Sequence, residues 1–194
     1  MAKPARSYYQ RPVEEVAWDL LGCVVVRRSC DAKLSGSIVE VEAYGGSDDP
    51  GSHAFRGPTQ RNAVMFGPPG HVYVYRIYHF HTCMNVVCGE SGAASAVLIR
   101  ALQPLTGIDI MARNRGGRPI SELCDGPAKL CQALDITMDL NGADLDSDQL
   151  WIERGETPSE VAITARVGLN RGADLPRRYF IPGNPFVSRG KPSS

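Results

Sequence analysis

Apolar and polar positions along the chain follow two different periods, which together predict short helices and strands. Apolar residues recur at helical spacing from Val13 to Leu21, Pro12 stands where a first-turn proline belongs, and Gly22 is expected to end this helix. Two more helices are predicted, at 107–115 and 125–134. Runs rich in Val, Ile and Tyr predict strands at 23–28, 36–43, 71–78, 82–88 and 96–102.

The order of these elements predicts the fold class. Strands that do not alternate regularly with helices favour an α+β fold with an antiparallel or mixed sheet, and the strands at 71–78 and 82–88 are expected to form a long hairpin. A chain of 194 residues fits one domain. We expect residues 1–11 and 190–194 to be frayed ends of this single domain.

The stretch IVEVEAYGG, residues 38–46, reads as a strand that carries unusual chemistry. Strand geometry puts alternate side chains on opposite faces. One face then holds Ile38, Glu40, Glu42 and Tyr44, and a packing face holds Val39, Val41 and Ala43. Two carboxylates about 7 Å apart repel each other unless water, a cation or a functional arrangement accommodates them. A solvated strand face and a functional site are therefore both open interpretations.

Charge is segregated along a chain whose formal net charge is zero. No acidic residue occurs between Asp49 and Glu90, whereas this interval contains all four histidines, Arg56, Arg61 and Arg76. Four of the seven tyrosines lie in it or just before it: Tyr44, Tyr73, Tyr75 and Tyr78. Cationic groups interleaved with flat rings suit a surface that follows phosphates and stacks on bases. The alternative is that these tyrosines only pack across the strands of a hairpin.

Two polar residues interrupt apolar strands. A buried Arg100 within AVLIRAL would need an anionic partner, for which Glu42 is the candidate, unless its head reaches solvent. Asn85 within TCMNVVC must be hydrogen-bonded either to the structure or to the edge of a ligand.

The cysteine pattern and hydropathy limit the class of protein. The six cysteines form no C-x-x-C pair and no paired metal spacing, so we expect reduced, mostly buried thiols in a cytoplasmic protein. No run approaches the 18 apolar residues that a membrane span needs.

An ordered set of motifs resembles the alkyladenine (3-methyladenine) DNA glycosylases. The motifs are VEVEAY, H-x-F-R-G-P-T-x-R-N, G-H-V-Y-V-Y-x-I-Y, C-M-N, L-I-R-A-L-x-P, D-G-P-A-K-L-C and the closing RYFIPGNPFVS. The resemblance covers nearly the whole chain and implies a compact α+β domain with a curved antiparallel sheet and a protruding β-hairpin. It also implies a base excision repair enzyme that acts on double-stranded DNA with damaged purines, without a metal or another cofactor. For a single domain, action as a monomer is the simplest expectation.

The resemblance further implies roles for individual residues around a flipped base. Glu42 matches the catalytic glutamate that activates a water molecule. Tyr44 matches the ring that stacks on one side of the extruded base, and His53 and Tyr75 match the groups on its other side. Arg100 matches the arginine that helps to hold the water and contacts a phosphate.

Other matched positions concern the base edge and the DNA duplex. Asn85 matches the asparagine that disfavours a normal guanine, and Tyr78 matches the wedge that enters the duplex. Arg61 and Lys129 are expected to contact phosphates, as are Arg56 and Arg76 by their charge. The glycine that often follows the wedge tyrosine in the family is replaced here by His79, which puts the geometry of the turn in question.

Two rival interpretations differ from a glycosylase. His79 and His81, with Glu40 and Glu42, could hold the metal of a metal-dependent hydrolase, although no second ligand pair supports it. A module that binds damaged DNA without cutting it is the other. Because no lysine lies between Glu42 and Tyr78, the sequence offers no Schiff-base nucleophile and predicts a monofunctional enzyme.

Overall fold

The chain folds as one curled antiparallel sheet with short helices, in a computed structural model that describes residues 2–29, 32–78 and 80–190. The strands are β1 (Val24–Ser29), β2 (Ala32–Tyr44), β3 (Val72–Ile77), β4 (His81–Cys88), β5 (Ser95–Thr106), β6 (Leu150–Glu153), β7 (Ala162–Thr164) and β8 (Arg178–Phe180). Six of them follow the order β3-β4-β5-β2-β1-β6, while β8 pairs with β2 and β7 pairs with β8. The predicted α+β class is confirmed.

The helices are short and pack against the sheet. They are α1 (Arg6–Tyr9), α2 (Val13–Leu20), α3 (Ile108–Asn114) and α4 (Pro127–Ala133), with 3₁₀ turns at Ala63–Phe66, Ile120–Glu122 and Met138–Leu140. Buried residues of α2, α3 and α4 share one hydrophobic core with the apolar residues of the central strands. Within the described ranges, no helix is long and apolar enough to cross a membrane.

The N-terminal residues are better ordered than the sequence predicts. Residues 1–11 were expected to be frayed, but Arg6–Tyr9 form α1, and both Tyr8 and Tyr9 are buried in the core. The Tyr8 hydroxyl also donates a 2.6 Å hydrogen bond to the carbonyl of Asp19 in α2. The expectation of a frayed segment is therefore wrong for α1, because two large rings bury enough apolar area to hold it in place. Residues 191–194 lie outside the described residues.

A β-bulge in β2 changes the faces that strict alternation assigns. The pairing of β2 with β5 shifts register on both sides of Glu40. As a result Ile38 joins Val41 and Ala43 in the hydrophobic core, whereas Val39 is buried outside that cluster. The predicted faces are thus wrong for Ile38 and Val39, because one extra residue in a bulge breaks the two-residue period.

The predicted hairpin is formed by β3 and β4, which pair from Val72↔Val86 to Ile77↔His81. Tyr78 stands at its tip with φ of 50°, in the left-handed region. Tyr78 is thus a non-glycine residue with a positive φ in this turn. His79, on which the expected turn geometry depended, lies outside the described residues.

Candidate active site

The carboxylate of Glu42 lies at the centre of the candidate site and is fully buried. Its Oε1 accepts a 2.7 Å hydrogen bond from the backbone N–H of Val167 and lies 3.3 Å from Nη1 of Arg100. Its Oε2 accepts a 2.8 Å hydrogen bond from the hydroxyl of Tyr44. The interpretation of a solvated strand face is therefore wrong, and these contacts fix both oxygens of the carboxylate.

Glu40 is a structural neighbour of Glu42 and is also fully buried. Its Oε1 accepts hydrogen bonds from Nε of Arg100 (2.9 Å), Nε of Arg178 (2.7 Å) and Oγ of Ser188 (2.9 Å). Its Oε2 accepts from the backbone N–H of Ser188 at 2.7 Å. Glu40 is thus held by four hydrogen bonds from structural partners, whereas Glu42 faces groups that line a cavity.

Arg100 on β5 joins the two glutamates, as a buried arginine within an apolar strand must. Burial by itself would lower the pKa of Arg100, but the charges of Glu42 and Glu40 and the hydrogen bond to Glu40 together raise it. The guanidinium therefore stays charged. The sequence predicted Glu42 as its partner, and the structure shows that Glu40 makes the shorter contact.

An aromatic cavity lies next to Glu42. A narrow part of about 90 Å³ and an open cleft of about 780 Å³ share Tyr44, His53, Tyr75 and Leu169 in their walls. The His53 and Tyr75 rings meet edge to face with centroids 4.6 Å apart, and Nδ1 of His53 lies 3.1 Å from the hydroxyl of Tyr73. Loss of solvation is the main cause that lowers the pKa of His53, and the nearby positive charge of Arg61 lowers it further. A neutral imidazole at neutral pH suits a wall for a flat ligand.

Asn85 lies in the narrow part of this cavity and is buried. Its Nδ2 donates a 3.1 Å hydrogen bond to the carbonyl of Tyr73 on the neighbouring strand β3. This bond satisfies one donor of the amide and fixes the side chain in the cavity wall. The structural interpretation of Asn85 therefore holds for this donor, and contact of the amide with a ligand stays a prediction.

Two exposed rings stand at the tip of the hairpin. Tyr78 is 76% exposed and lines the open cleft, whereas Phe80 is 73% exposed and lines a separate groove of about 500 Å³ with His81. Two large exposed rings at one hairpin tip form a candidate contact surface for a partner. The tip therefore separates the aromatic cleft from a second groove.

The predicted phosphate contacts differ in their surroundings. Arg61 and Arg76 line the open cleft, and Arg61 donates a 2.9 Å hydrogen bond to the carbonyl of Arg76. Arg56 is exposed. Lys129, in the first turn of α4, binds both carboxylate oxygens of Asp125 at 2.9 and 3.0 Å. A phosphate would have to share Lys129 with this carboxylate.

Sequence reasoning missed a group of buried residues behind the cavity. Arg166 is fully buried and binds Asp49 through two hydrogen bonds of 2.6 and 2.8 Å, and its guanidinium lies 4.6 Å from the centre of the Tyr44 ring. The next residue, Val167, supplies the N–H that holds Glu42. Both residues lie in the stretch ARVGL, residues 165–169. In the sequence, the signal for Arg166 is a positive charge with no residue of opposite charge close to it along the chain.

The side chains proposed for a metal site offer little support for one among the described residues. Across residues 2–29, 32–78 and 80–190, no group of three or more His, Cys, Asp or Glu side chains is placed to hold a metal ion. Glu40 and Glu42 are both engaged by Arg100, and His79 falls outside the described ranges. Five cysteines, Cys23, Cys83, Cys88, Cys124 and Cys131, are free and buried, and Cys30 is not described.

Comparison with known proteins places this arrangement in an enzyme class. The family model described as Methylpurine-DNA glycosylase (MPG) matches residues 7–185. The class is that of the DNA glycosylases, which act on damaged DNA in base excision repair. The chain belongs to the methylpurine-DNA glycosylase family. Membership of this family favours a glycosylase enzyme over a non-catalytic module that binds damaged DNA.

Curated relatives agree over almost the full length. A protein of Methanoculleus marisnigri named "Putative 3-methyladenine DNA glycosylase" is 50% identical over 194 residues, which cover 97% of this chain and 100% of the relative. Relatives with the same name from Carboxydothermus hydrogenoformans and Rhodopseudomonas palustris are 51% and 48% identical. These alignments cover 95% and 96% of this chain, and 97% and 91% of the respective relatives.

Proposed function

We propose that the enzyme rotates an alkylated or deaminated purine out of duplex DNA and hydrolyses its N-glycosidic bond with a water molecule activated by Glu42. The substrate class comprises 3-methyladenine, 7-methylguanine, hypoxanthine and ethenoadenine. The observation that carries the proposal is a buried, oriented carboxylate whose three partners, Tyr44, Arg100 and Val167, all line the aromatic cleft.

The aromatic cavity suits an extruded purine. A base inside a duplex cannot be reached, and unstacking it costs a few kcal/mol that a stacking pocket offsets. In the proposed complex Tyr44 stacks on one side of the base, and His53 and Tyr75 lie against the other side. Asn85 would meet the edge of the base from the narrow end and disfavour a normal guanine.

The proposed chemistry uses residues of this chain only. The water oxygen bonds to the sugar carbon C1′, its proton passes to Glu42, and the electron pair of the C1′–N bond leaves with the purine. The sugar passes through a cationic state, which a carboxylate stabilises. Arg100 would help to hold the water and would contact a phosphate. A purine such as 3-methyladenine or 7-methylguanine already carries positive charge and leaves readily, whereas hypoxanthine or ethenoadenine requires protonation or a hydrogen bond.

The reaction would end with an intact abasic strand. The three described lysines, Lys3, Lys33 and Lys129, line neither part of the aromatic cavity. Without an amine there, no Schiff base with the sugar would form. We therefore propose a monofunctional enzyme. We also propose that it acts as a monomer, without a cofactor, in the compartment that contains the DNA.

A duplex with one hypoxanthine tests this function directly. Incubation with the protein followed by hot alkali is expected to break the strand at the lesion, whereas the protein without alkali leaves it intact. Activity is expected to survive a chelator, which separates this mechanism from the metal-dependent one that uses His79 and His81. A duplex left unbroken after alkali would reject the proposed activity, and a break without alkali would reject the monofunctional mechanism.

Tyr78 at the hairpin tip is proposed as the wedge that fills the space left by the base. Replacing Tyr78 by alanine is expected to weaken binding of lesion-containing duplex by about 1–3 kcal/mol, the value of one stacking contact, with a smaller effect on undamaged duplex. Fluorescence anisotropy with both duplexes measures the difference. Equal losses on the two duplexes would show that the ring makes only non-specific contacts.

The remaining cations would bind the DNA backbone. Arg56, Arg61, Arg76 and Lys129 are proposed as phosphate contacts. No acidic residue occurs in the chain between Asp49 and Glu90, so the segment with the three arginines has no carboxylate of its own to oppose a polyanion.

A further inference from the structure

The phenol of Tyr44 connects the base-stacking surface to the carboxylate of Glu42. Val167 and Arg100 contact Oε1 of Glu42, whereas the Tyr44 hydroxyl contacts Oε2 at 2.8 Å. Each carboxylate oxygen can accept two hydrogen bonds, so Oε2 keeps one position for another donor. Tyr44 can therefore orient Oε2 without blocking it.

The ring of Tyr44 is held from behind. The guanidinium of Arg166 lies 4.6 Å from the ring centre and lines neither part of the aromatic cavity, whereas Tyr44 lines both. The cation therefore occupies the ring face that is turned away from the cavity. Arg166 is itself fixed by Asp49 and by the carbonyl of Ala43, at 3.0 Å. This leaves the other face of the ring for a base.

The hydroxyl is a hydrogen-bond donor at neutral pH. Burial, then the charge of Glu42 and the hydrogen bond to it, raise the pKa of Tyr44 well above its ordinary value. The phenol therefore stays protonated and donates its proton to the carboxylate.

We propose that Tyr44 is a positioning residue for Glu42 as well as the stacking partner of the base. One rigid side chain would then set both the plane of the extruded purine and the orientation of the oxygen that receives the proton of the water. The inference rests on the proposed function, in which Glu42 activates that water.

Tyr44→Phe separates the two roles, because it keeps the ring and removes the hydroxyl. Single-turnover release of 7-methylguanine from duplex DNA is expected to slow by about 10- to 100-fold, as for the loss of one hydrogen bond to a charged group. Binding is compared in the Glu42→Gln background, where no base is released. The affinity for ethenoadenine duplex is expected to change less than about twofold when Tyr44→Phe is added, because stacking is kept.

The split between rate and binding gives a readout that a merely structural effect would not produce. A loss of structure in the cavity lowers both the rate of base release and the affinity for the damaged duplex. Loss of the hydroxyl alone is expected to lower the rate with saturating enzyme and to leave the affinity unchanged, because the ring still stacks on the base. A 7-methylguanine substrate is suitable because its base is already cationic and needs no protonation, so the rate reports the activation of the water.

Tyr179→Phe is the matched control, since it removes the hydroxyl of a buried tyrosine outside the aromatic cavity. Its rate and its affinity for the duplex are expected to match those of the wild type. Thermal unfolding of both variants shows whether they are folded. A Tyr44→Phe variant with the wild-type rate, or one whose rate and affinity fall together, would overturn the inference while leaving the proposed function intact. A wild-type protein that releases no base would overturn both.

Discussion

Replacing Glu42 by glutamine is expected to slow base release by about 10²- to 10⁴-fold, the usual contribution of a general base. The amide keeps the shape of the side chain and can still accept from Val167 or Tyr44, but it cannot take a proton from water. Lesion-containing duplex is therefore expected to remain bound. Single-turnover release from a hypoxanthine duplex, with anisotropy on the same duplex, measures the two effects separately.

Glu40→Gln is the control for this experiment, because it makes the same change two residues away. Glu40 accepts hydrogen bonds from two arginines and from Ser188, so its loss of charge is expected to lower stability more than it lowers the rate of the folded protein. If Glu42→Gln kept its turnover and Glu40→Gln lost it, the catalytic role would pass to Glu40.

Replacing Arg166 by methionine is expected to destabilise the protein by about 3 kcal/mol, the lower end of the range for breaking a buried ion pair. Arg166 and Asp49 are both fully buried, and the substitution leaves a buried carboxylate. Arg177, 3.3 Å from Asp49, and the N–H groups of Gly45 and Gly51 would compensate in part. Urea unfolding measures the loss.

Two comparisons make the Arg166 prediction specific. Arg118→Met, at an exposed ion pair with Glu122, is expected to change stability by less than about 0.5 kcal/mol.

The second comparison is the pH dependence of stability. Burial by itself would raise the pKa of Asp49, but Arg166 and the backbone donors together lower it to a net value below its ordinary one. The lowered pKa of Asp49 stabilises the folded protein at pH values above the pKa that this carboxyl group has in the unfolded chain. The stabilisation is lost as the pH falls through the pKa of Asp49 in the folded protein. Arg166→Met should flatten that acid dependence; a change below about 1 kcal/mol would contradict the role of the pair.

Much of the site could be predicted because its residues lie in strands with a clear period and in recognisable motifs. The aromatic residues Tyr44 and Tyr75, placed by alternation and by the hairpin, do line one cavity. Arg100 could be predicted to need an anion because an apolar strand offers none. The bulge at Glu40 could not be predicted, because a two-residue period carries no sign of an extra residue.

The sequence by itself determined the α+β class, the β3–β4 hairpin, the segregation of positive charge and the motifs that identify the family, since all of these are local patterns or an order along the chain. The tertiary structure alone decided how the two glutamates differ. Val167 binds Glu42 across 125 positions of sequence, and Ser188 binds Glu40 across 148. Such contacts depend on how distant segments pack, which no local period records. They make one carboxylate structural and leave the other beside the aromatic cavity.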